Sequence, residues 1–274
     1  MAMSSTSSKL IVPEAAVPAA DGVVLEVTPE SAGWQYVGYA TVRLQAGQTF
    51  VRETGEKEVC LVLLGGRCGV KTAEREWAAI GGRTSPFDEE PPYAVYVPAG
   101  DRYEVTALTD LEFGVCSAPA SGKLPARLIE PGDVKVEVRG SGSMERIVRN
   151  ILMESSEAES LLVVEVITPE GHWSSYPPHK HDRDALPDES FLEETYYFKV
   201  KPEQGFAIQR VYTDDRSLDE TLTVMNGQTV LVPKGYHPVS APAGYEVYYL
   251  NVMAGPVRTW KIHNDPDHEW LLKK

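Results

Sequence analysis

The sequence predicts an all-β protein built from two similar barrels in tandem. Three observations carry that expectation: short β-branched and aromatic runs set between turn residues, the lack of any long amphipathic helical pattern, and an internal repeat. Twenty prolines and 22 glycines punctuate the chain. Between them lie YATVRL (39–44), EVCLVLL (58–64), AVYVP (94–98) and YEVTAL (103–108) in the first half. The second half carries LLVVEVIT (161–168), TYYFKV (195–200), AIQRVYT (207–213), QTVLVP (228–233) and EVYYLNVM (246–253). Strands at this spacing, separated by turn signals, belong to a sandwich or barrel.

The repeat rests on two anchors. EVCLVLLGG from Glu58 matches ETYYFKV from Glu194, an offset of 194 − 58 = 136, and AVYVPAGDRYEV matches TVLVPKGYHPVS with Gly100 on Gly235, an offset of 235 − 100 = 135. Each pair reads strand, V-P-x-G, strand, which implies duplicated barrels. The expected division is a disordered tail over 1–20, a first barrel over 21–120, a linker over 121–145 rich in Pro, Gly and Ser, and a second barrel over 146–274.

Charge excludes some function classes. Forty Asp and Glu against 26 Lys and Arg give a formal net charge of −14. Such a surface repels nucleic-acid phosphate and anionic lipid, so neither is expected as a partner. No run approaches the 18 apolar residues of a membrane span, and the Ser-rich opening lacks the apolar core of a secretory signal. The expected location is cytoplasmic. Three cysteines, Cys60, Cys68 and Cys116, make no disulfide framework, and Cys60 within VCLVLLGG reads as a buried reduced thiol.

The chemistry gathers in the second repeat. In PPHKHDRDALPDESFLEETYYFK, His179 and His181 stand two apart, so on an extended chain both imidazoles project to one face. Glu194, Tyr196 and Phe198 then share one face of the next strand, with Glu193, Thr195 and Tyr197 on the other. His237 follows V-P-K-G, a turn that returns a strand toward the barrel mouth. Three imidazoles and a carboxylate suit one divalent ion of zinc, iron, manganese, nickel or cobalt. His172 reads as a packing or hydrogen-bonding residue, and His263 and His268 as solvent-facing members of a charged tail. The acidic run 214–220 reads as a solvated hairpin tip.

H-x-H…E-E-x-Y-Y-F…V-P-x-G-x-H resembles the two-part cupin signature, with the insert DRDALPDESFLE lengthening its first part. More narrowly, SPFDEEPPYAVYVPAG, CSAPA, GHWSSYPPHKHD, LEETYYFK, GYHPVSAPAGYEVYYLNVMAG and DPDHEW resemble the 5-deoxy-glucuronate isomerase family of inositol catabolism, related to 5-keto-4-deoxyuronate isomerases. The resemblance implies a bicupin, two tandem jelly-roll-like barrels, that turns 5-deoxy-D-glucuronate into 2-deoxy-5-keto-D-gluconate. The first repeat offers Glu58 in the place of Glu194 and Arg102 in the place of His237 with no H-x-H, so that barrel is expected to be metal-free.

An aldose–ketose isomerisation moves a proton between neighbouring carbons through an enediol, and an ion at the two oxygens stabilises the oxyanion. Candidates for the proton carrier are a hydroxide held by the ion, Glu193, Asp182, and an inward tyrosine such as Tyr196. Lys180, Arg183 and Arg210 are candidates for binding the substrate carboxylate; alternation along 207–212 puts Arg210 on the face opposite Gln209, and which face looks inward is open. Zinc is the first expectation for the ion, with manganese and iron behind it. The partner is a small sugar acid, with room left for a homo-oligomer. The alternatives from other classes are a metal-dependent dioxygenase, which would consume oxygen, and a sugar-acid-binding bicupin without turnover.

Overall fold

The structure is a computed structural model that describes residues 8–273. Two main sheets form each half, and two small two-stranded sheets join the second. In the first, a six-stranded sheet runs Arg127–Ile129, Ala94–Val97, Lys57–Gly65, Leu111–Pro119, Gly38–Leu44, Val23–Val27 in spatial order. It faces a four-stranded sheet of Thr49–Glu53, Arg102–Ala107, Arg67–Lys71 and Glu76–Gly81. The second half repeats this plan with seven strands: Ile11–Val12, Thr229–Val232, Glu193–Lys201, Glu246–Ala254, Leu162–Thr168, Arg146–Leu152 and Lys135–Arg139. Its smaller sheet is Trp173–Ser174, Val239–Ser240, Phe206–Tyr212 and Asp219–Met225. All these pairings are antiparallel.

Three apolar cores explain why the central strands read as almost continuous apolar runs. Phe50, Leu61, Val95, Val105 and Phe113 fill the first barrel. Leu162, Tyr196, Phe198, Val211 and Tyr249 fill the second. Between the barrels, Tyr39, Cys60, Val62 and Cys116 pack against Tyr197, Tyr248, Leu250 and Val252. The two large sheets are thus buried on both faces, and alternate residues of one strand serve different cores. The three cysteines are free and buried, and burial pushes the Cys60 and Cys68 thiols up to about 12.

Polar groups cross the interface in a reciprocal way. Glu58 of the first barrel accepts backbone N–H bonds from Glu159, Ser160 and Leu161 of the second, at 2.9, 2.6 and 2.6 Å. Glu193 of the second accepts from Gln35, Tyr36 and Val37 of the first, at 2.8, 2.8 and 3.0 Å. Arg83 and Arg149 both bind the fully buried Glu165, which also accepts from the Tyr248 hydroxyl.

This symmetry corrects the register of the repeat by one residue. Val59 pairs with Val97 just as Glu194 pairs with Val232, and both offsets are 135 (194 − 59 and 232 − 97). The counterpart of Glu58 is therefore Glu193, and Val59 stands where Glu194 stands. The expected tail and linker are corrected too. Met1 to Ser7 lie outside the described residues, but Ile11–Val12 pairs with Thr229–Val232, Leu10 is buried, and Glu14 binds Arg43. Within 121–145, Arg127–Ile129 extends the first large sheet and Lys135–Arg139 the second. Edge pairing satisfies backbone groups that a free linker would leave to water.

Candidate metal centre

The second barrel carries the site at one end of its large sheet. Inward alternation of Glu193–Lys201 delivers Glu194 and Tyr196 to the interior, as the sequence predicts. His181 lies just beyond the short strand His179–Lys180, which pairs with His263–Asn264 near the carboxyl end of the chain. His237 follows the turn at Gly235, whose φ of +89° and close approach to the Tyr212 carbonyl exclude a side chain.

The four predicted ligands come together. The Glu194 carboxylate oxygen Oε2 lies 3.0 Å from His181 Nε2 and 3.2 Å from His237 Nε2. The His179 ring centre is 5.1 Å from that of His237. Among the described residues, His181, Glu194 and His237 form the group of three whose ligand atoms all fall within 4.8 Å of one another, with His179 set slightly wider. Each imidazole donates its Nδ1–H to a backbone carbonyl: His179 to Pro177, His181 to Leu192, His237 to Gly235. Those bonds orient the rings so that every Nε2 points inward, the arrangement metal-binding histidines need.

The donor set fits a divalent cation. His237 Nε2 is buried and has no hydrogen-bond partner, since its approach to Glu194 is close but misaligned. Burial, aided by the neighbouring His181, holds His179 down to about 3; burial and the other two imidazoles do the same to His237. Both are neutral at neutral pH and offer lone pairs rather than protons. Burial also disfavours charge on His181, but the Glu194 hydrogen bond and charge outweigh it and raise its pKa.

A cavity of about 50 Å³ opens beside these residues. Its lining includes His179, Glu194, Tyr196, Tyr249, Asn251 and, at the rim, Arg139, Arg146 and Trp260. Ser175, at φ +48°, bridges the Tyr196 and Tyr249 hydroxyls at 3.0 and 3.4 Å. Burial and the nearby Glu194 charge push the Tyr196 phenol far above its ordinary value, so it is a hydrogen-bond donor and not a base. A much larger concavity of about 1030 Å³ lies on the first barrel, lined by residues such as Arg43, Arg67 and Thr109, and it contains none of the four candidate ligands.

Several sequence-predicted site residues point elsewhere. Glu193 faces the interface, where its carboxylate is consumed by three N–H donors. Asp182 accepts from the Gly235 amide at 2.8 Å and lies 3.3 Å from Lys180, bracing the turn behind His237. Lys180 points away from its histidine neighbours to Asp214 at 2.5 Å, and Asp214 also accepts from Tyr236. Arg183 is exposed and binds Glu189. Arg210 binds Asp219 on the outer face, because Ala207 and Val211 of the same strand fill the interior. None of these five lines the cavity. His172 donates to the Glu145 carbonyl, in line with its expected bonding role. His263 and His268 are half-buried rather than solvent-facing, since the carboxyl-terminal segment is tied down by Tyr212 bonding to Asp265.

Sequence reasoning missed Arg139, Arg146, Ser175, Asn251 and Trp260. The two arginines fell in or beside the expected linker. Alternation would have found Asn251, which shares the inward face with Tyr249 and Met253.

Comparison with known proteins places the whole architecture. A family model described as KduI/IolB matches residues 10–271. The chain belongs to the KduI/IolB family. A 5-deoxy-glucuronate isomerase of Geobacillus kaustophilus is 62% identical over 97% of this chain and 96% of its own. One from Bacillus subtilis strain 168 is 49% identical, covering 92% and 93%. Among solved structures, an IolB-like protein from Salmonella typhimurium superposes with a TM-score of 0.94 at 49% identity, covering 97% of this chain and all of that one. An oxalate decarboxylase from Lactobacillus farciminis, at 16% identity and TM-score 0.67, covers 98% of this chain and 91% of its own, and shares the double-barrel cupin fold.

Proposed function

We propose that this KduI/IolB-family chain is an aldose–ketose isomerase that converts 5-deoxy-D-glucuronate into 2-deoxy-5-keto-D-gluconate, with one divalent ion at His179, His181, Glu194 and His237. The observation that carries the reading is the 62% identity, over almost the entire length of both chains, to a 5-deoxy-glucuronate isomerase. The donor chemistry supports it independently. Zinc is the first choice for the ion, with manganese or iron behind it. The first barrel, with Val59 and Arg102 at the corresponding positions, carries no ion in this reading.

A bound divalent ion would polarise the substrate carbonyl, stabilise the negative charge that develops as the α proton leaves carbon 2, and lower the pKa of a water able to take up that proton and return it to carbon 1. The chain's own residues provide the rest. The Nδ1 bonds of the three histidines hold the donor set rigid. Tyr196, kept protonated by burial, donates to a substrate oxygen, and Ser175 orients its hydroxyl. The apolar walls at Val148, Val164 and Met253 exclude water from a reactive carbanion. A six-carbon acid exceeds the present cavity, so rim side chains, Trp260 among them, shift to admit it.

The test combines elemental analysis with an NMR assay on 5-deoxy-D-glucuronate. One divalent ion per chain and formation of the ketose are expected, with turnover lost on chelation and restored on reloading. Oxygen uptake in place of isomerisation, or binding without turnover, would overturn the reading.

A further inference from the structure

The least expected group at the cavity is Arg146. Its guanidinium Nη1 donates to the Met144 carbonyl at 3.1 Å, and among the described residues no carboxylate pairs with it. In a chain with 40 acidic and 26 basic residues, a half-buried arginine without a counter-charge is out of keeping with its surroundings. The nearest like charge aggravates this: Arg139 lines the same rim, stacked 5.7 Å over Trp260. Arg139 is itself shared with Glu137 and Asn150.

The backbone is shaped to hold Arg146 there. Gly140 lies at φ +86°, and a Cβ built on it would sit 2.2 Å from the Met144 carbonyl oxygen and 2.8 Å from Arg146 Nη1. The turn between Lys135–Arg139 and Arg146–Leu152 therefore closes over the guanidinium only because residue 140 lacks a side chain. Strand pairing of Arg139 with Arg146 sets the two cations side by side. Two adjacent guanidinium groups repel each other, and an anion between them would relieve that repulsion.

We propose that Arg146, assisted by Arg139, is the carboxylate subsite of this pocket: it grips the acid end of an open-chain uronate while the carbonyl end lies at the histidine–glutamate cluster. This rests on the reading of the pocket as the isomerisation site. It makes Arg146 the residue that selects a sugar acid over the corresponding neutral sugar. The site needs a planar, bidentate donor, so lysine replaces it incompletely.

The experiment measures kcat and KM of the metal-loaded enzyme for 5-deoxy-D-glucuronate and for 5-deoxy-D-glucose, in wild type, Arg146→Met and Arg146→Lys. Losing charge-assisted bonds to a carboxylate corresponds to roughly a 10- to 150-fold rise in KM for the acid, with kcat nearly unchanged. The preference for the acid over the neutral sugar should collapse by the same factor in Arg146→Met and recover partly in Arg146→Lys, with metal content unchanged in both. An unchanged KM, or an equal loss on the neutral sugar, overturns the subsite. If the wild type fails to isomerise the uronate, the functional reading fails first. The subsite is then decided by calorimetric binding of D-glucuronate to wild type and Arg146→Met: weaker binding in the variant supports it, and no difference overturns it.

Discussion

Replacing Glu193 and Glu194 separately by glutamine should produce two different failures, although the residues are neighbours on one strand. Glu193 accepts three backbone N–H bonds from Gln35, Tyr36 and Val37 at the barrel interface. A glutamine offers one acceptor oxygen and turns an NH₂ toward backbone donors. Hydrogen bonds to a charged group contribute about 1.5–3 kcal/mol against roughly 0.5–1.5 for neutral ones. Losing the charge and at least one bond therefore costs on the order of 3–5 kcal/mol. For a chain of this size about 2–4 °C of Tm follows each kcal/mol, so a fall of roughly 6–20 °C is expected. The purified variant should still carry its ion. Glu194→Gln removes a ligand: since losing an outer hydrogen-bond partner costs 10–100-fold in metal affinity, losing the carboxylate itself should cost at least about 100-fold. The metal-free variant should unfold near the temperature of metal-free wild type, because Glu194 anchors no backbone. Thermal melts with and without chelator, paired with elemental analysis, separate the two outcomes. Equal metal loss in both variants would refute the reasoning, because it would mean that both carboxylates face the same side of the sheet.

Three further outcomes follow from other groups. Burial opposes ionisation of Glu165, but Arg83 and Arg149 outweigh it and hold its pKa below the ordinary value; its stabilisation is complete above the unfolded-state pKa of about 4.3 and is lost as pH falls through the depressed folded value. Urea midpoints measured from pH 7 downward should therefore fall more steeply in wild type than in Glu165→Gln, and parallel curves would count against that linkage. Tyr196→Phe should lower kcat by roughly 100-fold while leaving metal content intact, as expected of a lost proton-donating contact; an unchanged kcat would remove Tyr196 from the reaction. In deuterated water the hydroxymethyl carbon of the ketose, carbon 1 of the aldose, should gain solvent deuterium as seen by NMR, whereas a direct hydride shift leaves it unlabelled.

The clustering of the four proposed ligands was legible because two simple periods carry it. His-x-His on an extended segment and Glu194, Tyr196, Phe198 on a strand both follow from alternation, and the structure keeps both. What stayed hidden depends on contacts that leave no period. Glu58 and Glu193 bind backbone amides of another barrel, and any carboxylate can do that at any position. The repeat misaligned by one residue because Glu194 and Glu193 look alike in sequence while facing opposite sides of a sheet. Strand Ile11–Val12 has two residues, too few to show alternation, and is held by an edge it finds on a strand more than 200 positions away. Arg139 and Arg146 sat among Pro, Gly and Ser, a composition that reads as linker until its strands are seen paired. Lys180, Arg183 and Arg210 lie near the histidines in sequence, but alternation turns Lys180 and Arg210 away from the interior.

The reciprocal carboxylates also bear on why a barrel without the ligand set belongs to this site. Glu193 and Glu194 alternate across the sheet, so the bonds that fix Glu193 to the first barrel fix the strand that presents Glu194 to the second. A slip of one residue would exchange the two side chains, putting the proposed metal ligand at the interface and an interface anchor in the pocket. Three N–H donors from residues 35–37 oppose that slip, and Tyr197, packed against Tyr39 at 5.5 Å between ring centres, opposes it again four residues on. On the partner barrel the same device acts through Glu58, but the next residue is Val59, so the rigidity there presents no ligand. The duplicated plan thus serves two ends: one barrel keeps a reactive constellation, and the other supplies the loop that holds its register.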